Sequence, residues 1–167
     1  MADINSTLSK EYLHELFEYR DGELYWKISP ANCIKSGDIV GCIDKTSGYR
    51  RFRFKNKNYN THQFIFLMHY GFLPEMIDHI DCNPSNNKIE NLRPADRYTN
   101  QQNRKLDEKN SCGYKNVTWR ANRGKWYVRI KANGKYVTKG GFDNPKEANI
   151  VASKLREQLF GEFANHG

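Results

Sequence analysis

The residues of this chain that are best suited to chemistry lie in the stretch MIDHIDCNPSNNKIENLR, at positions 76–93. Asp78 and His79 are adjacent, so on a strand their side chains would point to opposite faces, and a carboxylate and an imidazole cannot both be inert core residues. Asn100 lies one turn into the helix expected to follow, whose axis could bring it beside Asp78. Carboxylate and amide oxygens are hard ligands, which suit Mg²⁺, Mn²⁺ or Ca²⁺ better than zinc.

The elements that must position these residues are predicted by the same region. EMIDHI predicts a strand, DCNPSNNKIEN a turn-forming loop and LRP a returning strand. Asp96 is suited to cap a helix that runs through RYTNQQN. We therefore expect two strands and a helix between residues 75 and 105.

The preceding residues predict two helices, a strand and a hairpin. Apolar residues at helical spacing indicate an amphipathic helix over residues 7–19, and GELYWKI alternates like a strand. GYRRFRFKNKNYNTH is typical of a hairpin, with its turn near Asn56 and Lys57. Residues 61–70 form an apolar run that predicts a buried helix ended by Gly71.

The first strand of that hairpin separates apolar from basic side chains. The two-residue period puts Phe52 and Phe54 on one face and Arg51, Arg53 and Lys55 on the other. Three outward positions that are all basic favour a surface that faces phosphates, and an ordinary polar sheet face is the alternative.

The other histidines and the cysteines are expected to have structural roles. His14, His62 and His69 are predicted to pack or to cap helices. The cysteines are scattered, with no C-x-x-C pair and no histidine at zinc-finger spacing, so we expect free thiols and no structural zinc. They are Cys33, Cys42, Cys82 and Cys112.

Positive charge is concentrated towards the end of the chain. The net charge is +8, and residues 1–100 hold 13 basic and 13 acidic side chains, so the surplus falls in residues 101–167. A confined basic surplus favours a polyanionic partner, most often nucleic acid, and a solvated basic face is the other interpretation.

A change of composition predicts a domain boundary near Asn110. Apolar residues nearly vanish over 101–113, which is typical of an exposed linker. Three strand-like runs follow, separated by ANRGK and ANGK, and then an amphipathic stripe opened by Asn144 and Pro145. We expect domains at 1–110 and 111–167, the second being a three-stranded antiparallel sheet packed on one helix, with its other face open.

The central stretch resembles the HNH endonucleases, in particular the free-standing phage homing endonucleases. DHIDCNPSNNKIENLR is similar to that family's DHiDGnplNNrieNLR, and Asp78, His79, Asn91 and Asn100 fall at its functional positions. Cys82 stands where the family usually has Gly, a difference that affects the loop backbone and removes no catalytic group.

The resemblance implies a ββα-metal module and a role for each of these residues. His79 would be the general base that takes a proton from the attacking water, and Asn91 would hold its imidazole by a hydrogen bond. Asp78 and Asn100 would bind one divalent ion, Mg²⁺ first and Mn²⁺ second. The remaining asparagines of the loop are expected only to shape it: Asn83, Asn86 and Asn87.

The chain from Gly113 onwards resembles the Apetala/ethylene-response-factor DNA-binding domain, which also occurs as an appendage of phage HNH endonucleases. In that family the sheet enters the major groove. Trp126 could instead be a core residue, and the charged candidates could be merely solvated. The predicted DNA contacts are Lys115, Arg120, Trp126, Arg129 and Lys131.

These features together predict an α+β protein, with an N-terminal helix and hairpin region before the ββα-metal module and the basic sheet domain after it. The predicted function is metal-dependent cleavage or nicking of double-stranded DNA by a monomer. Its rivals are a DNA-binding regulator with an inactive nuclease module and a protein that binds structured RNA. No apolar run approaches the ~20 residues of a membrane span. We therefore expect a cytoplasmic protein, in the host cell if phage-encoded, that uses no small-molecule cofactor.

Overall fold

The computed structural model describes residues 8–107 and 110–167. The chain divides into two compact units, residues 1–97 and 98–167. Helices and small antiparallel sheets occur together, so the predicted α+β class is confirmed. Within the described ranges, no helix has the length and apolar character needed to cross a bilayer. The predicted division into two functional domains near Asn110 stays a prediction.

The N-terminal helix is shorter than its apolar pattern predicts. The helix α1, Lys10–Leu16, is capped by Ser9, whose hydroxyl oxygen accepts a hydrogen bond from the helix backbone at 3.1 Å. The strands β1, Phe17–Arg20, and β2, Glu23–Trp26, then pair antiparallel. Because this pairing needs extended backbone, residues 17–19 of the predicted helix form a strand instead.

A three-stranded sheet follows, in the order β3, β4, β5. These strands are Cys42–Ile43, Arg50–Phe54 and Lys57–Asn60. Lys55 and Asn56 form the turn between β4 and β5, with φ angles of 47° and 64°. The hairpin therefore turns one residue earlier than predicted. The expectation that Lys55 continues the row of outward cations on β4 is wrong, because Lys55 lies in the turn.

The buried helix is where the apolar run predicts it. The helix α2, Thr61–Tyr70, ends at Gly71, which has φ 77° and donates its N–H to the Leu67 carbonyl at 2.8 Å. Its apolar residues pack with those of α1, β1, β2 and β4 into the core of the first unit. That core includes Leu13, Phe17, Leu24, Trp26, Val40, Phe52, Phe64, Ile65 and Leu67.

The candidate catalytic residues lie on and around a two-stranded sheet. The strands β6, Met76–His79, and β7, Leu92–Ala95, pair antiparallel. A single turn of 3₁₀ helix, Ile89–Asn91, leads into β7, and the helix α3, Arg97–Gln102, follows it. The predicted order of strand, loop, strand and helix is therefore observed.

The second unit contains a three-stranded antiparallel sheet and one long helix. The strands β8, Val117–Arg120, β9, Lys125–Ala132, and β10, Lys135–Phe142, lie in the order β10, β9, β8. The helix α4, Pro145–Phe160, begins after Asn144, whose side-chain oxygen accepts a backbone N–H at 2.8 Å. It packs on one sheet face around Val117, Val128, Ile130, Ala148 and Ala152, as the amphipathic pattern predicts.

Candidate active site

The pairing of β6 with β7 buries the Asp78 carboxylate next to an arginine. Asp78 is 5% exposed and lies opposite Arg93 in the strand register. Its Oδ2 accepts hydrogen bonds from Arg93 Nε at 2.8 Å and from Nη2 at 2.7 Å. The ion pair compensates the charge that burial would otherwise penalise. Arg93 was not among the predicted site residues, because its position across from Asp78 follows only from the register.

His79 ends β6 and is held by an asparagine from the following loop. The imidazole is 5% exposed, and its Nε2 lies 3.0 Å from Asn87 Oδ1. Asn87 is 1% exposed, and its Nδ2 donates to Thr61 Oγ1 at 3.2 Å. Thr61 is the first residue of α2, so Asn87 links the imidazole to that helix. Asn87 was predicted only to shape the loop, and this second role was missed.

Two aromatic rings pack beside His79. The ring centroid of His62 lies 5.1 Å from that of His79 and 5.3 Å from that of Tyr49. Tyr49 is 5.8 Å from His79. Burial, with a smaller contribution from His79, lowers the pKa of His62 to about 3. His62 is therefore neutral at physiological pH, and it packs as expected.

The loop between the strands is braced by the Asp81 carboxylate. Its oxygens accept hydrogen bonds from the Asn83 backbone at 2.8 Å, from Asn86 Nδ2 at 2.7 Å and from Asn91 Nδ2 at 3.0 Å. Burial alone would raise the pKa of Asp81, but these hydrogen bonds together hold it below the ordinary value. Asn83 and Asn86 thus have the loop-shaping role predicted for them.

Asn91 belongs to this loop network, which differs from the expected hydrogen bond to the imidazole. Its Oδ1 accepts from the Asp81 N–H at 3.1 Å, and its Nδ2 donates to Asp81 Oδ1 and to the Asn86 carbonyl at 2.8 Å. In the described residues these contacts use the side-chain amide of Asn91, and Asn87 reaches His79 instead. A catalytic role for Asn91 stays a prediction.

Cys82 adopts a conformation that glycine favours. Its φ is 56°, in the left-handed region, and its N–H donates to the His79 carbonyl at 2.9 Å. The tight turn directly after His79 is therefore made with a cysteine at the position where the resembling family usually has glycine.

The N-terminal hairpin supports the far end of the same loop. Tyr19 on β1 accepts the Ile89 N–H through its hydroxyl oxygen at 3.0 Å, and Asp21 pairs with Lys88 at 2.8 Å. Gly22 packs so closely that a Cβ added there would lie 3.0 Å from the Lys88 nitrogen. These contacts between distant parts of the sequence give the residues before 60 a direct role in positioning the site.

The comparisons with known proteins agree with this geometry. A family model described as HNH endonuclease matches residues 59–104. Protein 3.8 of Escherichia phage T7 is 36% identical over 90 residues, which cover 53% of this chain and 72% of that protein. The chain belongs to the HNH endonuclease family. HNH nucleases act on DNA and generally use a divalent metal ion. No solved structure matches the chain significantly.

The segment that matches the HNH family includes Asn100, the second predicted metal ligand. Asn100 lies on α3 and is partly buried. It falls in the second unit, whereas Asp78 falls in the first, and their predicted joint role stays a prediction. In the described part of the chain, no three His, Cys, Asp or Glu side chains group closely enough to hold an ion.

Outside the HNH segment, the open face of the sheet in the second unit carries arginines stacked on tyrosines. The Arg120 guanidinium lies 4.4 Å from the ring centroid of Tyr127, and that of Arg129 lies 3.8 Å from Tyr136. Lys131 is exposed and pairs with Tyr136 in the register, so it shares this face. Stacking restrains a long side chain while its N–H groups stay available for an anion. The two-residue period could have indicated both tyrosines, which the sequence analysis did not name.

Two of the residues predicted to contact DNA make contacts within the protein. Trp126 packs against the core cluster on the helix-covered face, with its ring 5.2 Å from Trp119. Lys115 donates from Nζ to the carbonyls of Gln102, at 3.2 Å, and of Arg104. Trp126 therefore fits the alternative of a core residue. Lys115 links two segments of the second unit through its hydrogen bonds. Their contacts with DNA stay predictions.

The predicted cations of β4 also differ in their surroundings. Arg51 pairs with Asp44 at 2.9 Å and donates to Asn60 Oδ1 at 3.2 Å. Arg53 is exposed, and the Lys55 ammonium lies 4.5 Å from the ring centroid of Tyr12. The positive potential of this region is therefore partly compensated.

Proposed function

We propose that this protein is a metal-dependent DNA endonuclease of the homing type, which hydrolyses a phosphodiester bond of double-stranded DNA at a specific site. The observation that carries the proposal is the buried Asp78–His79 pair at the end of β6, inside the segment that matches HNH endonucleases. The carboxylate offers an oxygen ligand for a hard cation and the imidazole offers a proton acceptor beside it.

His79 acts as the general base in this proposal. It takes a proton from the attacking water, the water oxygen forms a bond to phosphorus, and the bond between phosphorus and the 3′ oxygen breaks. An imidazole suits this task because its ordinary pKa lies close to neutral pH. The rings of His62 and Tyr49 pack beside His79 and limit the orientations open to it.

Asp78 and Asn100 are the residues that would hold a divalent ion, Mg²⁺ before Mn²⁺. Their carboxylate and amide oxygens fit a hard cation that keeps several of its waters. When bound, the ion supplies positive charge against the charge that develops on the phosphate and on the 3′ oxygen. Arg93 fixes the Asp78 carboxylate in place through two hydrogen bonds to Oδ2.

The open sheet face of the second unit positions the enzyme on its target, in the manner of an Apetala/ethylene-response-factor-like domain. Arg120, Arg129 and Lys131 supply cations on a face that α4 leaves uncovered. Arg51 and Arg53 add a second basic contact from the first unit. The enzyme acts as a monomer in the cytoplasm of the host. Each catalytic cycle cuts one DNA strand.

Supercoiled plasmid and linear duplex DNA test this proposal against the rival function, a regulator with an inactive nuclease module. The purified chain is incubated with Mg²⁺, with Mn²⁺ and with a chelator, and DNA binding is measured in parallel by gel shift. Metal-dependent conversion to nicked circles supports the endonuclease. Binding without cleavage under every metal condition would support the regulator and refute the endonuclease.

A further inference from the structure

We propose that Lys115 is a positioning residue of the nuclease. Its backbone is held by the buried Arg156 of α4, and its ammonium group fastens the helix α3 to the rest of the second unit, which fixes the backbone that carries Asn100. This inference rests on the proposed function, in which Asn100 is a metal ligand. It gives the second unit a part in the reaction, in addition to the DNA-binding role proposed for its open sheet face.

The helix α3 is too short to be stable alone. It is six residues long, and every one of these described residues is at least partly exposed. Isolated helices of this length are unstable in water, because forming the first turn is costly and few hydrogen bonds follow it. All but the first residue of α3 falls in the second unit. We therefore expect the rest of that unit to supply the groups that hold α3 in place.

Two other parts of the second unit contact α3 at its beginning and directly after its end. The Tyr98 hydroxyl oxygen accepts the backbone N–H of Asn133, which lies in the turn between β9 and β10. Asn103, the residue that follows α3, is 5% exposed. Asn165, in the chain after α4, donates from Nδ2 to the Asn103 carbonyl and to its Oδ1, each at 3.2 Å. Both ends of α3 are therefore tied to the second unit.

Lys115 binds the C-terminal end of α3 through its ammonium group. Nζ donates to the carbonyl of Gln102, the last residue of α3, at 3.2 Å, and to the carbonyl of Arg104. The last carbonyls of a helix lack partners within it and carry partial negative charge, so a lysine at this end stabilises the helix. Two of the three ammonium hydrogens are then used within the protein, which favours a positioning role over a contact with a DNA phosphate.

A buried guanidinium fixes the backbone of Lys115. Arg156 on α4 is 1% exposed, and its Nη1 donates to the Lys115 carbonyl at 2.7 Å and to Asn116 Oδ1 at 3.3 Å. Its Nη2 donates to Ser153 Oγ at 3.0 Å. Burying a guanidinium is costly unless hydrogen bonds compensate for the lost water. A continuous series of hydrogen bonds therefore runs from α4 through Arg156 and Lys115 to the end of α3, and it gives a function to an arginine that the proposed reaction does not use.

Hydrogen exchange of the backbone amides, measured by mass spectrometry on the full chain, tests the anchoring without reference to activity. Lys115→Met removes the ammonium group, so peptides that cover residues 97–104 should exchange about tenfold faster than in wild type. Lys115→Arg keeps the donors and should restore most of the protection. Lys154→Met, which changes an exposed lysine of α4, is the matched control and should exchange like wild type.

The fold of each variant is checked by its melting curve. Lys115→Gln, whose shorter side chain stays polar, replaces Lys115→Met if that variant loses its fold. Equal exchange of residues 97–104 in wild type and in the folded Lys115 variant would overturn the inference.

The metal requirement of cleavage separates a positioning role from a DNA contact. If Lys115 positions Asn100, Lys115→Met should raise the Mg²⁺ concentration for half-maximal single-turnover cleavage by about tenfold. The slope of log affinity against log salt concentration should stay unchanged, because no phosphate contact is lost. A slope reduced by about 1 with an unchanged Mg²⁺ requirement would identify Lys115 as a phosphate contact and overturn the inference.

A double-mutant cycle with Asn100→Ala separates this inference from the function on which it rests. If Lys115 acts through Asn100, adding Lys115→Met to Asn100→Ala should not raise the Mg²⁺ requirement further. Additive increases would overturn the positioning role while leaving the endonuclease in place. A wild-type protein that cleaves DNA with none of the metals would refute the proposed function, and the exchange data would still decide whether Lys115 holds α3.

Discussion

Stability should fall as the pH is lowered from neutral towards about 5, and His62 should account for a defined part of that loss. His62 is 7% exposed, and burial lowers its pKa from 6.5 to about 3. Between these two values the unfolded chain binds a proton that the folded chain does not. The stabilisation is therefore complete above pH 6.5 and is lost as the pH falls towards 3.

The magnitude follows from the difference in proton binding. Each pH unit below 6.5 costs about 1.4 kcal/mol of unfolding free energy, so His62 should contribute a loss of about 2 kcal/mol at pH 5. That value depends on the pKa of the unfolded chain alone, as long as the folded pKa is well below 5. It is thus insensitive to the depth of the shift.

Urea titrations of wild type and His62→Gln across this pH range measure the contribution directly. Glutamine stays uncharged, so the variant should lose about 2 kcal/mol less than wild type between neutral pH and pH 5. Equal pH dependence in wild type and His62→Gln would refute the claim that His62 is buried as a neutral ring.

Three further predictions concern the ion pair and the second unit. Arg93→Met should lower the free energy of unfolding by about 3–5 kcal/mol, because the Asp78 charge stays buried without its partner. Adding Asp78→Asn should recover part of that loss in urea titrations. A further loss in the double variant would contradict the ion pair. Gly140→Ala should destabilise the protein by about 1–3 kcal/mol, since the added methyl group would lie 2.0 Å from the Tyr127 ring. Adding Tyr127→Ala removes that ring and should restore the melting curve. Identical melting curves for Gly140→Ala and wild type would count against this contact. Arg129→Ala should weaken DNA binding and reduce the slope of log affinity against log salt concentration by about 1. An unchanged slope would exclude Arg129 from the DNA interface.

Elements fixed by local pattern were predicted from the sequence. The apolar run at 61–70 and the turn residues around Asn133 led to a helix and a hairpin that the structure contains. Asp78 and His79 were placed on a strand by the pattern of EMIDHI, and the structure has them in the last two positions of β6. The helix at 7–19 was too long because helical spacing at Phe17 competes with cross-strand pairing to Trp26.

Contacts between distant segments could not be predicted in the same way. Asn87 is one of several asparagines in the loop, and its selection as the partner of His79 depends on Thr61, which is 26 residues away. Arg93 acquires its role only when the strand register sets it opposite Asp78. Composition indicates that a loop is polar, and only the packing decides which polar group meets which.

The measurement that tests the central claim most directly is the single-turnover cleavage rate of His79→Ala on target DNA with Mg²⁺. Affinity for the same DNA is measured alongside, and Glu90→Gln, which changes an exposed side chain just before β7, serves as the control. The account predicts a fall of about 10²–10⁴ in the cleavage rate with unchanged affinity, because the general base is removed and the binding surface is not. A His79→Ala protein that cleaves at the wild-type rate would contradict it.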